Sequence, residues 1–153
     1  MSEKSKVSIV KGKFPPDRIE IDRMVREAIG LIGGLSGKIK SGDHVVLKPN
    51  LFAPYPPPIS VDRRVIASMV RLAREAGAKR VTVIEGVSVG TLMKRVRPSA
   101  TPCGMNRGFK TAEIMQMLGI KRAVEEAGGE VMSVEDAEKV EVNIKGGMAL
   151  NTR

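Results

Sequence analysis

An α/β domain on a mostly parallel sheet, with helices on both faces, is the fold this sequence predicts. Three observations predict it. Short runs rich in β-branched residues, HVVLK at His44–Lys48 and RVTVIE at Arg80–Glu85, alternate with segments of helical period. The stretch from His44 to Glu85 reads as strand, loop, helix and short return to a strand, a crossover that requires parallel strands and a right-handed connection. Two similar endings, EAGAKRVTVIE and EAGGEVMSVE, each read as helix end, glycine cap and strand, which is a local rule of this architecture and no sign of duplication.

Lys6–Lys11 (KVSIVK) alternates and is rich in β-branched residues, so it is expected to be the first strand, broken by Gly12–Pro16. Asp17 is a helix cap, and Ile21, Met24, Val25, Ala28, Ile29 and Ile32 recur at helical spacing up to Gly33-Gly34. Leu35–Gly42 is a connector from which Ile39 folds back onto the core. His44–Lys48 follows as a strand that Pro49 ends. Four of the eleven residues in Asn50–Ser60 (NLFAPYPPPIS) are proline, which excludes a helix interior or a central strand. The segment is expected to be a stiff, partly polyproline loop packed through Phe52 and Tyr55, either a plain surface excursion or a site loop.

Asp62 caps a helix over Arg63–Ala76 whose stripe is Val65, Ile66, Met69, Val70 and Ala73, with Arg63, Arg64, Arg71 and Arg74 on its basic side. Gly77 closes it, and Arg80–Glu85 is the next strand. Val87–Lys110 has no simple period. A helical segment from Lys110 or Thr111 to Leu118-Gly119 is followed by a helix over Ile120–Ala127, glycines 128 and 129, and a short strand at Glu130–Val134. Glu135–Glu138 is acidic and turn-like, and Lys139–Lys145 (KVEVNIK) alternates as a last strand with one solvated face.

The 153 residues suffice for one domain, taken as 1–153, that needs no disulfides. One cysteine excludes an internal disulfide framework and an all-cysteine zinc or iron–sulfur site within the chain, so no metal site is expected and any cofactor stays unassigned. Aromatics make up only 3%, which argues against an RNA-stacking sheet. No targeting segment and no run of 18 apolar residues is visible, so a cytoplasmic protein without membrane contact is expected. The 26 Lys+Arg against 17 Asp+Glu give a net charge of +9, which suits phosphate-bearing ligands, nucleic acid or an acidic partner.

Ligands of open parallel sheets bind beyond the carboxyl ends of the strands. Two ends are identifiable, Lys48-Pro49-Asn50 and Glu85-Gly86. If their strands are neighbours, Lys48, Asn50, Glu85 and Gly86 share one rim: an ammonium for an anionic ligand, an amide with donor and acceptor, and a carboxylate that binds a cation or pairs with Lys48. The bland alternative is a rim ion pair and an Asn holding its own turn. Gly86 and Gly90 match neither the dinucleotide nor the P-loop glycine order, although successive N–H groups there suit an anion. A second candidate is the basic stretch with Lys94, Arg95, Arg97, Arg107 and Lys110 and no acidic residue, weighed as an anion or nucleic-acid clamp against a solvated face or subunit contact. Cys103 lies within it and reads as an unreactive turn thiol. His44 begins a strand and so sits at the edge opposite the rim, too far for a Cys–His pair.

At Lys48-Pro49-Asn50-Leu51 the chain resembles the prokaryotic family catalogued as domain of unknown function 362. The motifs that carry the likeness are VSIVKG at the start, Ala28–Leu35, SGDHVVLKPNL over Ser41–Leu51, and the EAGAKRVTVIEG ending at Gly86, covering about residues 5 to 145. The resemblance implies longer relatives that continue to a lysine-threonine-histidine motif, some fused to ferredoxin-like iron–sulfur modules. A single cysteine carries no cluster over to this chain. It also implies that the chain matches the front half of such a domain, with a homo-oligomer or a partner chain supplying the rest. The functional expectation is an α/β domain binding an anionic small molecule at the rim, either a binding module or the site half of an enzyme. Set against it are a non-catalytic interaction subunit and, less favoured, nucleic-acid binding through the basic face.

Overall fold

A computed structural model describes residues 5–52, 54–86, 110–138 and 140. In chain order its elements are α1 (Arg18–Leu31), β1 (His44–Leu47), α2 (Arg63–Glu75), β2 (Arg80–Glu85), α3 (Thr111–Met117), α4 (Ile120–Glu126) and β3 (Glu130–Ser133). The strands form a parallel sheet in the order β1-β2-β3, with Val45 opposite Val81 and Val83 opposite Val131. The α/β class and the parallel crossover from β1 through α2 to β2 are therefore as the sequence predicts.

Strand alternation decides which side of the sheet becomes the core. Val81 and Val83 point one way from β2, and they join Ile66, Val70 and Ala73 of α2, Met115 of α3 and Ile120 and Val124 of α4 in one buried cluster. Each such side chain contributes about 1.5–3 kcal/mol by leaving water. Helices α2 and α4 pack on each other as well as on the sheet. Residue 129 must be small for this packing: a Cβ there would stand 2.9 Å from a Val70 methyl and 3.2 Å from the Val81 carbonyl oxygen. All three of α2, α3 and α4 thus lie on the Val81 side. Val46 of β1, on the opposite side of the sheet, is 55% exposed.

The sequence signals for helix ends act as expected. The Asp17 carboxylate accepts from the Glu20 N–H, and the Asp62 carboxylate accepts from the Arg64 N–H, each satisfying an orphan donor of the first turn. Gly33, Gly77 and Gly119 have φ of 103°, 108° and 66°, left-handed conformations that stop α1, α2 and α3. Ile39 packs against the core from its connector, also as expected.

Two expectations fail. Lys6–Lys11 forms no strand; Val7 and Ile9 are 84% and 85% exposed. Its alternation has no sheet edge beside it. The segment that follows is tied to α1 instead: the Arg23 guanidinium donates to the Lys11 carbonyl, and the Lys13 N–H donates to Glu20. The 50–60 loop also differs. Phe52 and Tyr55 are exposed, and the loop is anchored instead by buried Leu51 and Ser60, which pair as an antiparallel bridge. The expected strand at Lys139–Lys145 lies outside the described residues, apart from exposed Val140.

Helix α1 packs on α2; its apolar stripe, Ile21, Met24, Val25, Ala28 and Ile29, is only half-buried, and a polar network runs beside it. Asp22 accepts from Ser68 at 2.7 Å, from Arg71 at 2.6 Å and from Arg26 at 2.7 Å, and Arg26 reaches on to Glu75. Partial burial pulls the Asp22 carboxyl upward, but the hydrogen bonds from Arg71, Arg26 and Ser68 outweigh it and hold the group well below the usual carboxylate range. Bonds from Arg23 and the Lys13 N–H lower Glu20 from 4.5 to about 2. Both carboxyls are more acidic folded than unfolded. The stability they add is therefore complete above the unfolded carboxylate range, about pH 4–4.5, and is lost as the pH falls through the folded values. The expected result is a urea midpoint that declines from about pH 5 to about pH 2. Asp22→Asn should be weaker at neutral pH by about 1–2 kcal/mol, allowing for solvent around the arginines, and should decline less over the same interval. Parallel slopes for the two proteins would remove Asp22 from the account.

Candidate functional site at the carboxyl edge of the sheet

Each strand delivers a polar residue to the carboxyl edge. Lys48 follows β1, Glu85 ends β2 and Ser133 ends β3 opposite Glu85. Glu85 lies on the same face as Val81 and Val83, so the strand period that builds the core also draws its carboxylate inward. The Lys48 ammonium stands 3.0 Å from Glu85 Oε1 and 2.8 Å from Oε2. Only the Oε1 contact has hydrogen-bond geometry; Oε2 is buried without a hydrogen bond among the described residues. Burial is unequal across the pair: the Glu85 side chain is 11% exposed and that of Lys48 is 70% exposed. A buried anion thus pins a cation whose remaining N–H donors face solvent.

The two other residues named for this rim behave differently. Asn50 is exposed, takes no part in the Lys48–Glu85 contact, and accepts from the Val61 N–H at 3.1 Å through its backbone carbonyl. Gly86 follows Glu85 directly, and a Cβ there would meet Val134 at an ordinary 3.5 Å, so close approach does not require glycine. In the basic stretch, Lys94, Arg95, Arg97 and Arg107 lie outside the described residues, as does Cys103. Lys110 is exposed just before α3, where its N–H donates to Glu113.

The sequence reading missed a third group at this edge. Glu135 accepts from the hydroxyls of Ser133 and Thr111, both buried. Partial burial raises the Glu135 carboxyl, while the bonds from Ser133 and Thr111 prevail and lower it. The signal is present in the sequence, since an acidic turn directly follows a predicted strand. His44 lies at the amino edge, as expected from its position. Its Nε2 is 2.7 Å from Thr82 Oγ1, and that hydroxyl donates to Glu130 across the third strand. This row satisfies a buried Thr82 and stands apart from the carboxyl edge.

Among the described residues no group of three His, Cys, Asp or Glu side chains is placed to hold a metal ion, and no helix is long and apolar enough to cross a membrane. The edge offers charge recognition: a solvent-facing ammonium held by the buried Glu85 carboxylate, and a second carboxylate, Glu135, beyond Ser133.

Comparison with curated proteins and with solved structures finds no match to either. A family model does match, over residues 45–152, and so takes in β1, α2, β2 and everything after them. It starts well past residue 5, where the motif likeness had been drawn, so VSIVKG and α1 lie outside the matched span. With most of its length matched, the chain belongs to the family described as Domain of unknown function (DUF362).

Proposed function

We propose that this domain binds a small anionic molecule at the carboxyl edge of its sheet, and that the ligand carries a hydroxyl or amino donor beside its anionic group. The observation that supports this is the uneven Lys48–Glu85 pair: an exposed ammonium pinned by a buried carboxylate whose Oε2 has no hydrogen bond among the described residues. The anion meets Lys48 from solvent, and the donor reaches Glu85. Asn50, exposed on the next turn, and the backbone at Gly86 complete the surroundings.

Malate and succinate test this, because they differ by the hydroxyl alone. Malate is expected to raise the thermal midpoint more than succinate does. Lys48→Ala is expected to weaken malate binding about 10- to 100-fold, the value of one charged hydrogen bond. Equal responses from wild type and Lys48→Ala, or no response to either acid, would count against the reading.

A second reading, pairing with another copy or a partner chain, is favoured by the exposure of Val46 on edge strand β1 and of Val7 and Ile9. Sedimentation equilibrium is expected to give a mass above that of one chain, and Val46→Lys is expected to lower it. A monomer at all concentrations would exclude self-association.

A further inference from the structure

The proline-rich loop forms one wall of a surface trough that shares none of Lys48, Asn50, Glu85 or Gly86. Two adjoining hollows, of about 590 and 420 Å³, meet at Arg63, Met117 and Leu118. Each is within the usual range for small-molecule sites. The walls are apolar where the loop prolines face the end of α3, and Met117 is 58% exposed between them.

Charge in the trough is uneven. Asp62 is covered by Arg64, whose guanidinium bonds both of its oxygens, and Arg122 pairs with Glu126. Arg63 has no ion pair among the described residues. It lies across Gly119, with its Cδ 3.5 Å from where a Cβ would be, and makes one long contact of 3.5 Å to the Leu118 carbonyl. The Arg63 guanidinium, without an ion pair among the described residues, therefore stands where a proline-lined apolar wall meets a more polar hollow.

We propose that this trough binds an amphipathic carboxylate, with the carboxylate on Arg63 and the alkyl chain along Met117 and the loop prolines. A guanidinium accepts a carboxylate in a two-pronged hydrogen bond, and the exposed thioether adapts to a flexible chain. Charge complementarity selects this occupant over a neutral one, since a purely apolar ligand would leave Arg63 desolvated and unpaired.

The test is an NMR titration of the full chain with octanoate, octanol and acetate, following the Met117 methyl. Octanoate is expected to move that resonance saturably, with octanol and acetate at least tenfold weaker. Arg63→Ala should weaken octanoate at least tenfold, and Arg63→Lys should recover part of the loss. Arg63 is exposed, and an unchanged far-ultraviolet spectrum confirms that each variant is folded. Octanol binding as tightly as octanoate, an unaffected Arg63→Ala, or no movement of Met117 would each overturn the proposal. Because neither Lys48 nor Glu85 lines the trough, a failure here leaves the carboxyl-edge reading to its own test.

Discussion

Ile120→Ala is expected to lose about 2–5 kcal/mol of unfolding free energy, among the largest effects of any single substitution in this chain. Ile120 is fully buried and opens α4 directly after the left-handed Gly119. Its side chain shares a cluster with Val70, Val81 and Val124, so it joins both packed helices to the sheet. Truncation removes the transfer free energy of three carbons and leaves a void that tightly packed neighbours cannot fill. Urea unfolding at neutral pH measures the loss as a lower midpoint at constant slope. Arg122→Ala, on the exposed side of the same helix, removes only a surface pair with Glu126 and is expected to leave the midpoint nearly unchanged. Similar losses for both would mean that α4 is not held by its buried face.

The second large effect concerns the pair at the carboxyl edge. Lys48→Met should destabilise by about 1–3 kcal/mol, because the buried Glu85 carboxylate is left with no cation beside it. The value stays below that of a fully buried pair, since solvent reaches the Lys48 head group. Glu85→Gln introduced into Lys48→Met should recover much of the loss by removing the stranded charge. A four-protein cycle of urea unfolding measures the coupling. Strictly additive losses would show that the ammonium does nothing for the carboxylate, and would remove the physical basis for a positioned cation at this edge.

The legible parts of the fold were those governed by local chemistry. Asp17 and Asp62 announce helix starts, the glycines after α1, α2 and α3 announce stops, and the apolar spacing of α2 announces its buried face. The same is true in part of the Lys48–Glu85 contact: two parallel strand ends joined by one crossover lie on one edge of the sheet, their adjacency is what the structure adds, and residue parity follows from the strand period. The illegible parts depend on partners distant in sequence. KVSIVK has every local mark of a strand, but a strand exists only beside another, and Arg23 and Glu20 hold the chain that follows it to α1 instead. The loop aromatics looked like anchors because they are large, whereas Leu51 and Ser60 hold the loop because they face each other across its base. The role of Glu135 and the uncovered charge of Arg63 both rest on what neighbouring elements do with their own charges, which no spacing encodes.

The polar seam between α1 and α2 has a consequence for how the molecule opens. A layer attached by carboxylates, guanidiniums, one hydroxyl and apolar side chains that are only partly buried exposes less hydrocarbon on lifting than the fully buried interior would. Lifting α1 therefore requires only part of the free energy of global unfolding, while α2, α4 and the sheet stay closed over their shared aliphatic interior. The amide protons of residues 18–31 will accordingly reach solvent through a partial opening of their own, and the cooperative unit that melts as a whole begins near β1.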